Sequence, residues 1–352
     1  MNKFKAFLKR KDIIFSAKRY GIDAMSAMAQ GLFCSLLIGT IINTLGTQFG
    51  LPFLNEIGGF ATSMSGPAMA CAIGYALKAP PLVLYSLLAV GASANSFGGA
   101  GGPLAVLFIA IIAAELGKAV SKETRIDLIV TPFVTIFSGV ALSALTAPYI
   151  GAAANAVGQF IKDATVLHPF LMGIVVSVLV GIALTLPISS AAICRVFLLT
   201  GLAGGAAVAG CCAQMVGFAV MSFRENGVGG LLSQGIGTSM LQMGNIVKNP
   251  KIWIPPILTS AITGPLATCV FRLEMNGEAI ASGMGTCGLV GQIGVYTGWV
   301  NDIAAGTKTA ITAMDWAGLI LICFVLPAVL TWGFGLILRK IGWIKENDLK
   351  LD

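Results

Sequence analysis

The sequence predicts an all-α, polytopic membrane bundle with about ten transmembrane crossings, some of them broken or re-entrant. Three observations lead there. Charged residues make up 11% of the 352 positions and hydrophobic residues 56%, and the mean hydropathy is +0.88. A soluble domain carries about 25% charge, so lipid is the solvent for most of this chain. Apolar runs near the roughly 20 residues needed to span hydrocarbon recur almost from end to end. Three further stretches carry polar residues beside Gly or Pro, and polar backbone at that depth survives only where protein or enclosed water covers it.

Taken in order, residues 1–22 form a basic amphipathic segment carrying Lys3, Lys5, Lys9, Arg10, Lys11, Lys18 and Arg19. Such a cluster marks a cytoplasmic flank and suits a helix lying on anionic membrane lipid. Nothing in it reads as a nucleic-acid interface. The first apolar run is long and lacks a short processing site, which argues against a cleaved signal peptide. Residues 23–338 form the transmembrane domain, with spans expected at 25–47, 57–77, 81–96, 103–116, 128–150, 170–186, 202–222, 252–271 and 316–338. Residues 339–352 are a cytoplasmic tail that opens on Arg339 and Lys340 and continues through Lys345. Both termini are thus expected in the cytoplasm of a plasma-membrane protein. With Lys78, Lys118, Lys122 and Arg125 also inside, Lys248 and Lys251 return inside only if residues 227–247 cross or nearly cross. Residues 279–299 are then a re-entrant segment.

The polar stretches are 185–195, 223–242 and 279–297. Carriers use interrupted helices of this kind to aim backbone dipoles at a substrate near the midplane. A short internal echo, Ser65-Gly66-Pro67 with Cys71 and Thr263-Gly264-Pro265 with Cys269, fits a carrier with repeated architecture. Ionisable residues within spans are candidates for function, and Glu56, Glu115, Arg195, Arg224, Glu225 and Arg272 qualify. Glu225 stands out because it closes an apolar run and opens the Gly-rich stretch; its carboxylate can accept substrate hydroxyls, and Arg224 beside it would keep it ionised. The eight Cys show no C-x-x-C or metal-type spacing and behave as small hydrophobes. No catalytic set, metal site or cofactor is expected. His168, the single histidine, opens the run at residue 170 and lacks partners at ligand spacing.

The order of motifs resembles the membrane subunit (EIIC) of fructose-type phosphotransferase permeases. Gly101-Gly102-Pro103-Leu104-Ala105, Glu115 to Lys118, Val130-Thr131-Pro132 and Ser138-Gly139 are followed by His168-Pro169-Phe170-Leu171-Met172-Gly173, similar to that family's Asn-Pro helix start. Leu186-Pro187-Ile188-Ser189-Ser190 then stands where the family carries its Gly-Gly-Pro-Val-Asn-Lys turn. Phe223-Arg224-Glu225-Asn226-Gly227 stands where it carries Ile-Thr-Glu-Gly, and Asn249-Pro250 with Ile254-Pro255 follows. The resemblance implies a permease subunit for a sugar or similar hydroxylated solute, and a homodimer. Glu225 with Arg224 and Asn226, the turn Thr185, Pro187, Ser189 and Ser190, Gln234 and His168 are its implied binding residues. Arg224 in place of Thr, and Ser-Ser in place of Asn-Lys, resemble the stand-alone branch that includes perfringolysin-regulator-like proteins. Phosphorylation of the solute would then come from separate EIIA and EIIB proteins. The alternative is an EIIC-derived sensor or regulatory scaffold that transports nothing.

Overall fold

A computed structural model describes residues 3–351; the first two residues of the basic segment and the last of the tail lie outside them. Every regular element among the described residues is helical. Six helices are long and apolar enough to cross a membrane: Lys18–Phe49, Pro81–Val120, Asp127–Ala164, Gly201–Met221, Pro250–Val270 and Ala313–Lys340, with Pro169–Thr185 a shorter apolar helix. The chain is therefore an all-helical, multi-pass membrane protein. It divides into two compact units, residues 1–153 and 154–352.

The first unit is a series of antiparallel returns. The stretch 52–76, interrupted at Met64 between Pro52–Ser63 and Ser65–Ala76, runs back along Lys18–Phe49. A Cβ added at Gly46 would meet Asn55, one at Gly39 would meet Thr62, and one at Gly31 would meet Ala68. Pro81–Val120 is not one long span. It folds on itself at Gly99, where φ is 50°, so that Val83 lies beside Gly117. Its two arms, Pro81–Gly98 and Gly102–Val120, are the separate spans expected from residues 81–96 and 103–116. The helix Asp127–Ala164 then returns along the second arm, with Thr135 at Gly117 and Ile150 at Gly101.

At one end of this unit a buried ionic knot ties four segments. Lys118, 1% exposed, pairs with Glu115 at 3.0 Å and donates to the carbonyls of Asp12 (2.8 Å) and Leu77 (2.9 Å). Arg19 donates to Asp12 Oδ2 and to the same Leu77 carbonyl, both at 2.6 Å. Tyr20 donates to Glu115 Oε1 at 3.0 Å. The Leu77 carbonyl ends the Ser65–Ala76 helix, where the negative end of the helix dipole favours cations. Outside the spans, Lys11 and Arg10 both pair with Glu123.

The second unit is built differently. Pro169–Thr185 and the central helix Gly201–Met221 run parallel: Ser177 meets Gly210, and Thr185 meets Gln214. Two parallel neighbours need a connection that comes back, and residues 186–199, containing the short helix Ser190–Val196, supply it. Pro250–Val270 is antiparallel to the first of these helices, with Gly264 at Gly173 and Ser260 at Ser177. The last helix, Ala313–Lys340, runs along the central one, with Thr331 at Gly217 and Gly335 at Met221. Gly210 is needed where it stands, because a Cβ there would run into the Ser177 carbonyl.

This corrects the path expected for residues 227–247. They do not cross. Residues 226, 242, 245 and 249 all bond the same terminal segment, 343–351, while Ser239 between them reaches inward to Thr185. The parity count had assigned to this stretch the return that residues 186–199 actually make. Residues 279–289 are two short turns, Ala279–Gly283 and Cys287–Leu289, broken by left-handed Gly285, Gly288 and Leu289, before the helix Val290–Ala304.

Candidate functional site

The three polar stretches meet in the interior of the second unit. Thr185 ends its helix just before the Pro187 turn, and its hydroxyl lies 2.8 Å from Ser239 Oγ and 3.3 Å from Gln214 Oε1. Gln214 Oε1 also accepts from the Trp253 indole at 2.9 Å. On the other side of the turn, Ser190 donates to the Gly283 carbonyl at 2.7 Å, joining this stretch to the third. Ser189 caps the following helix by accepting from the Ala192 N–H at 3.2 Å. Thr185, Gln214 and Ser239 are fully buried, so each polar atom needs a partner. Gln214 Nε2 has none.

A chain of carboxamides leads outward from this core. Gln234 Nε2 donates to Ser222 Oγ (2.9 Å) and to the Gly230 carbonyl (3.0 Å), and Gln234 Oε1 accepts from Gln242 (2.8 Å). Gln242 and Asn245 donate in turn to the main-chain carbonyls of Leu349 (2.9 Å) and Lys350 (2.8 Å). Asn226 clamps the same strand from both sides, donating to the Leu349 carbonyl and accepting from the Leu351 N–H, each at 2.8 Å. Asn249 donates to Trp343 O and Asp348 Oδ2, and Lys251 stands 5.0 Å over the Trp343 ring. The tail is thus a docked strap with Ile344 and Leu349 buried, stitched down by side chains of the Gly-rich stretch.

Glu225 sits where the central helix ends, beside this strap. Its carboxylate is 6% exposed and pairs with Arg339 at 2.6 Å. The partner expected from the sequence was Arg224; the structure supplies Arg339 from the last helix, while Arg224 is exposed and lines the mouth. Arg339 also donates to the Met221 carbonyl at 3.3 Å. Glu225 Oε2 is buried with no partner. An open cleft of about 830 Å³ lies against Arg224, Glu225, Arg339, Lys345 and Lys350.

The structure thus brings Thr185, Ser190 and Gln234 into one unit but in separate hydrogen-bonded groups, Thr185 with Gln214 and Ser239, Ser190 with Gly283, and Gln234 with Ser222 and Gln242, with Pro187 and Ser189 in the turn between the first two. Glu225 and Asn226 stand at the outer end of the Gln234 group, linked through Ser222, whose carbonyl accepts from both of their N–H groups. His168 is elsewhere. It is exposed at the far end of the 17-residue Pro169–Thr185 helix, about 25 Å from Thr185 along the helix rise. Of the six ionisable residues flagged by position, Glu56, Arg195, Arg224 and Arg272 are exposed; Glu115 and Glu225 carry ion pairs. Sequence reasoning missed Gln214, Ser239, Gln242 and Arg339. A lone Gln in a Gly/Ala/Cys helix was a usable signal. Arg339 was read as a topological charge and so hid its second role.

Residues 22–351 match the family model of the phosphotransferase system EIIC proteins. No curated protein and no solved structure matches the chain. The match covers nearly the whole sequence, and the chain belongs to the EIIC family.

Proposed function

Taking membership of the EIIC family as the premise, we propose that this protein is the membrane permease subunit for a sugar or similar small hydroxylated solute. The observation that carries the proposal is the meeting of three broken stretches around buried, incompletely paired polar groups. Gln214 Nε2 offers a free donor, and Glu225 Oε2 and Gln292 Oε1 free acceptors, among buried groups that are normally paired. A solute hydroxyl both donates and accepts, so it complements either group. Thr185, the Pro187-Ser189-Ser190 turn and Gln234 shape the interior passage. Glu225, with Arg224 and Asn226 around it, forms the mouth. His168 is assigned to the far end of the path.

In this reading exposed Lys5 and Lys9 of the basic segment face anionic lipid while Arg19 stays in the buried knot, the chain crosses about ten times with both ends in the cytoplasm, and a homodimer is the working unit. Separate EIIA and EIIB proteins supply any phosphoryl group. Arg224 and the Ser-Ser turn support assigning the chain to the stand-alone side of the fructose-like branch. Uptake of labelled sugars into proteoliposomes, with and without added EIIA and EIIB, tests the proposal. Glu225→Gln keeps the side chain's size and an acceptor for Arg339, and should cut uptake by about tenfold or more. Absence of uptake and binding for every sugar, with Glu225→Gln indistinguishable from wild type, would overturn it.

A further inference from the structure

The 21-residue central helix is about 32 Å long, and its Gly201 end, opposite Glu225, carries a second cleft that the permease reading leaves unused. It has a volume of about 600 Å³. Beyond Pro250–Val270 the chain reverses at Arg272, whose φ is 47°. Met275 and Gly201 then exchange two main-chain hydrogen bonds of 3.0 Å as an antiparallel bridge. In extended backbone, residues two apart project to the same side, and both Glu274 and Asn276 line the cleft.

The polar groups there are already arranged. Asn276 Nδ2 donates to Asp302 Oδ2 at 2.8 Å and to Glu274 Oε2 at 3.3 Å. One carboxamide thereby holds two carboxylates and leaves each with a second oxygen. Lys308 pairs with Asp315 at 2.9 Å. Phe271 and Trp299 are the aromatic residues that line it. Trp299, 3% exposed, stacks edge-on with Trp316 (5.5 Å between centroids) and Tyr296 (6.5 Å). Its indole N–H makes no hydrogen bond among the described residues.

These features select a ligand class. A cleft of this size that sets two aromatic side chains, Phe271 and Trp299, beside seven polar or charged ones suits a small polar molecule. Three carboxylates face two cations, Arg272 and Lys308, which disfavours a phosphate. The carboxylates are held by an amide and an ammonium, which leaves little uncompensated charge for a cation. Neighbouring hydroxyls are the groups that a carboxylate can accept from while an amide or ammonium donates back, and the C–H face of a sugar ring fits an aromatic side chain. We propose that this cleft is a capture site for a neutral monosaccharide or alditol, separate from the interior polar groups. The preference for a sugar over another polyol rests on the permease reading.

The test titrates full-length protein in nanodiscs with neutral hexoses and hexitols and follows tryptophan emission, with a hexosamine and a hexose phosphate as comparison ligands. A saturable response to a neutral sugar is expected, about tenfold weaker in Asp302→Asn and in Glu274→Gln and reduced in amplitude in Trp299→Phe. Asp302→Asn retains an acceptor for Asn276, and Glu274→Gln is an independent second variant should the first fold poorly. Glu225→Gln should keep the response. In uptake assays Asp302→Asn should raise KM by a similar factor and leave kcat unchanged. No response in wild type, an equal response in Asp302→Asn, Glu274→Gln and wild type, or a preference for the amine or the phosphate would each overturn the inference. If wild type takes up no sugar, the permease reading fails, while the emission titration still decides the cleft.

Discussion

The two units hold their buried polar groups in opposite ways. In the first, charge is paired with charge. Lys118, Glu115, Arg19, Asp12 and Tyr20 close on one another and on the Leu77 carbonyl, and the Lys118 ammonium has three oxygens around it. In the second, neutral carboxamides do most of the work. Gln214, Gln234, Gln242, Asn245 and Asn226 bond main chain, hydroxyls and one another, and Gln214 Nε2, Glu225 Oε2 and Gln292 Oε1 remain free. A buried ion pair is strongly penalised when one partner leaves, so the first arrangement suits a fixed scaffold. A neutral amide gives up one hydrogen bond at modest cost, so the second suits a region that exchanges partners with a solute or rearranges its strap.

The contrast can be broken by substitution. Lys118→Met should be the most damaging change. It removes the ion-pair partner of Glu115 and leaves the Asp12 carbonyl without a donor, with Arg19 the single donor left to the Leu77 carbonyl, at an expected loss of about 3–5 kcal/mol, read as a lowered thermal transition of the purified protein. A transition unchanged from wild type would show that the knot is not the scaffold's anchor. Gln242→Leu comes next. It leaves Gln234 Oε1 and one Asn245 amide proton unpaired and Asn226 as the single donor to the Leu349 carbonyl, at about 1–3 kcal/mol for each unpaired group that stays dry. Hydrogen exchange should then quicken across residues 343–351 before the core helices respond.

Gln214→Leu sharpens the comparison from the functional side. Loss of the free donor should lower sugar uptake about tenfold, whereas the thermal transition moves less than in Lys118→Met; equal loss of both would make Gln214 merely structural. The smallest effect concerns acid. Arg19, hydrogen-bonded to Asp12, holds that carboxyl below its usual range, and Lys11 does the same for Glu123. Both carboxyls therefore stabilise the fold above the ordinary carboxylate pKa, and the contribution fades as pH falls through their lowered values. Protection of residues 5–20 against exchange should hold at neutral pH and decline below about pH 4, while residues 343–351, held by amides, should lag behind.

Much of the first unit was legible in the sequence because its helices are long, apolar and punctuated. Gly99 to Gly102 ahead of Pro103 marked the fold-back inside 81–120, and the basic loops at Lys78 and Lys122 fell at the ends of returns. The second unit was legible as composition but not as path. Polar residues beside Gly or Pro located the three broken stretches, yet periodicity carries no sign of whether such a stretch crosses or turns back. Residues 227–247 were therefore assigned the crossing that 186–199 supplies, and Arg224 was preferred to Arg339 as the partner of Glu225 because it is adjacent in the chain.

By itself the sequence determined the solvent, the helical class and the residues too polar to leave unpartnered in lipid, because hydropathy and the cost of burying charge are properties of each side chain and its near neighbours. Tertiary structure alone decided the partners. Parallel packing of Pro169–Thr185 against Gly201–Met221 turned residues 186–199 back into the bundle, and the last helix and its strap brought Arg339, Leu349 and Lys350 onto Glu225, Gln242 and Asn245. Those contacts join positions more than 100 residues apart, and no local pattern encodes them.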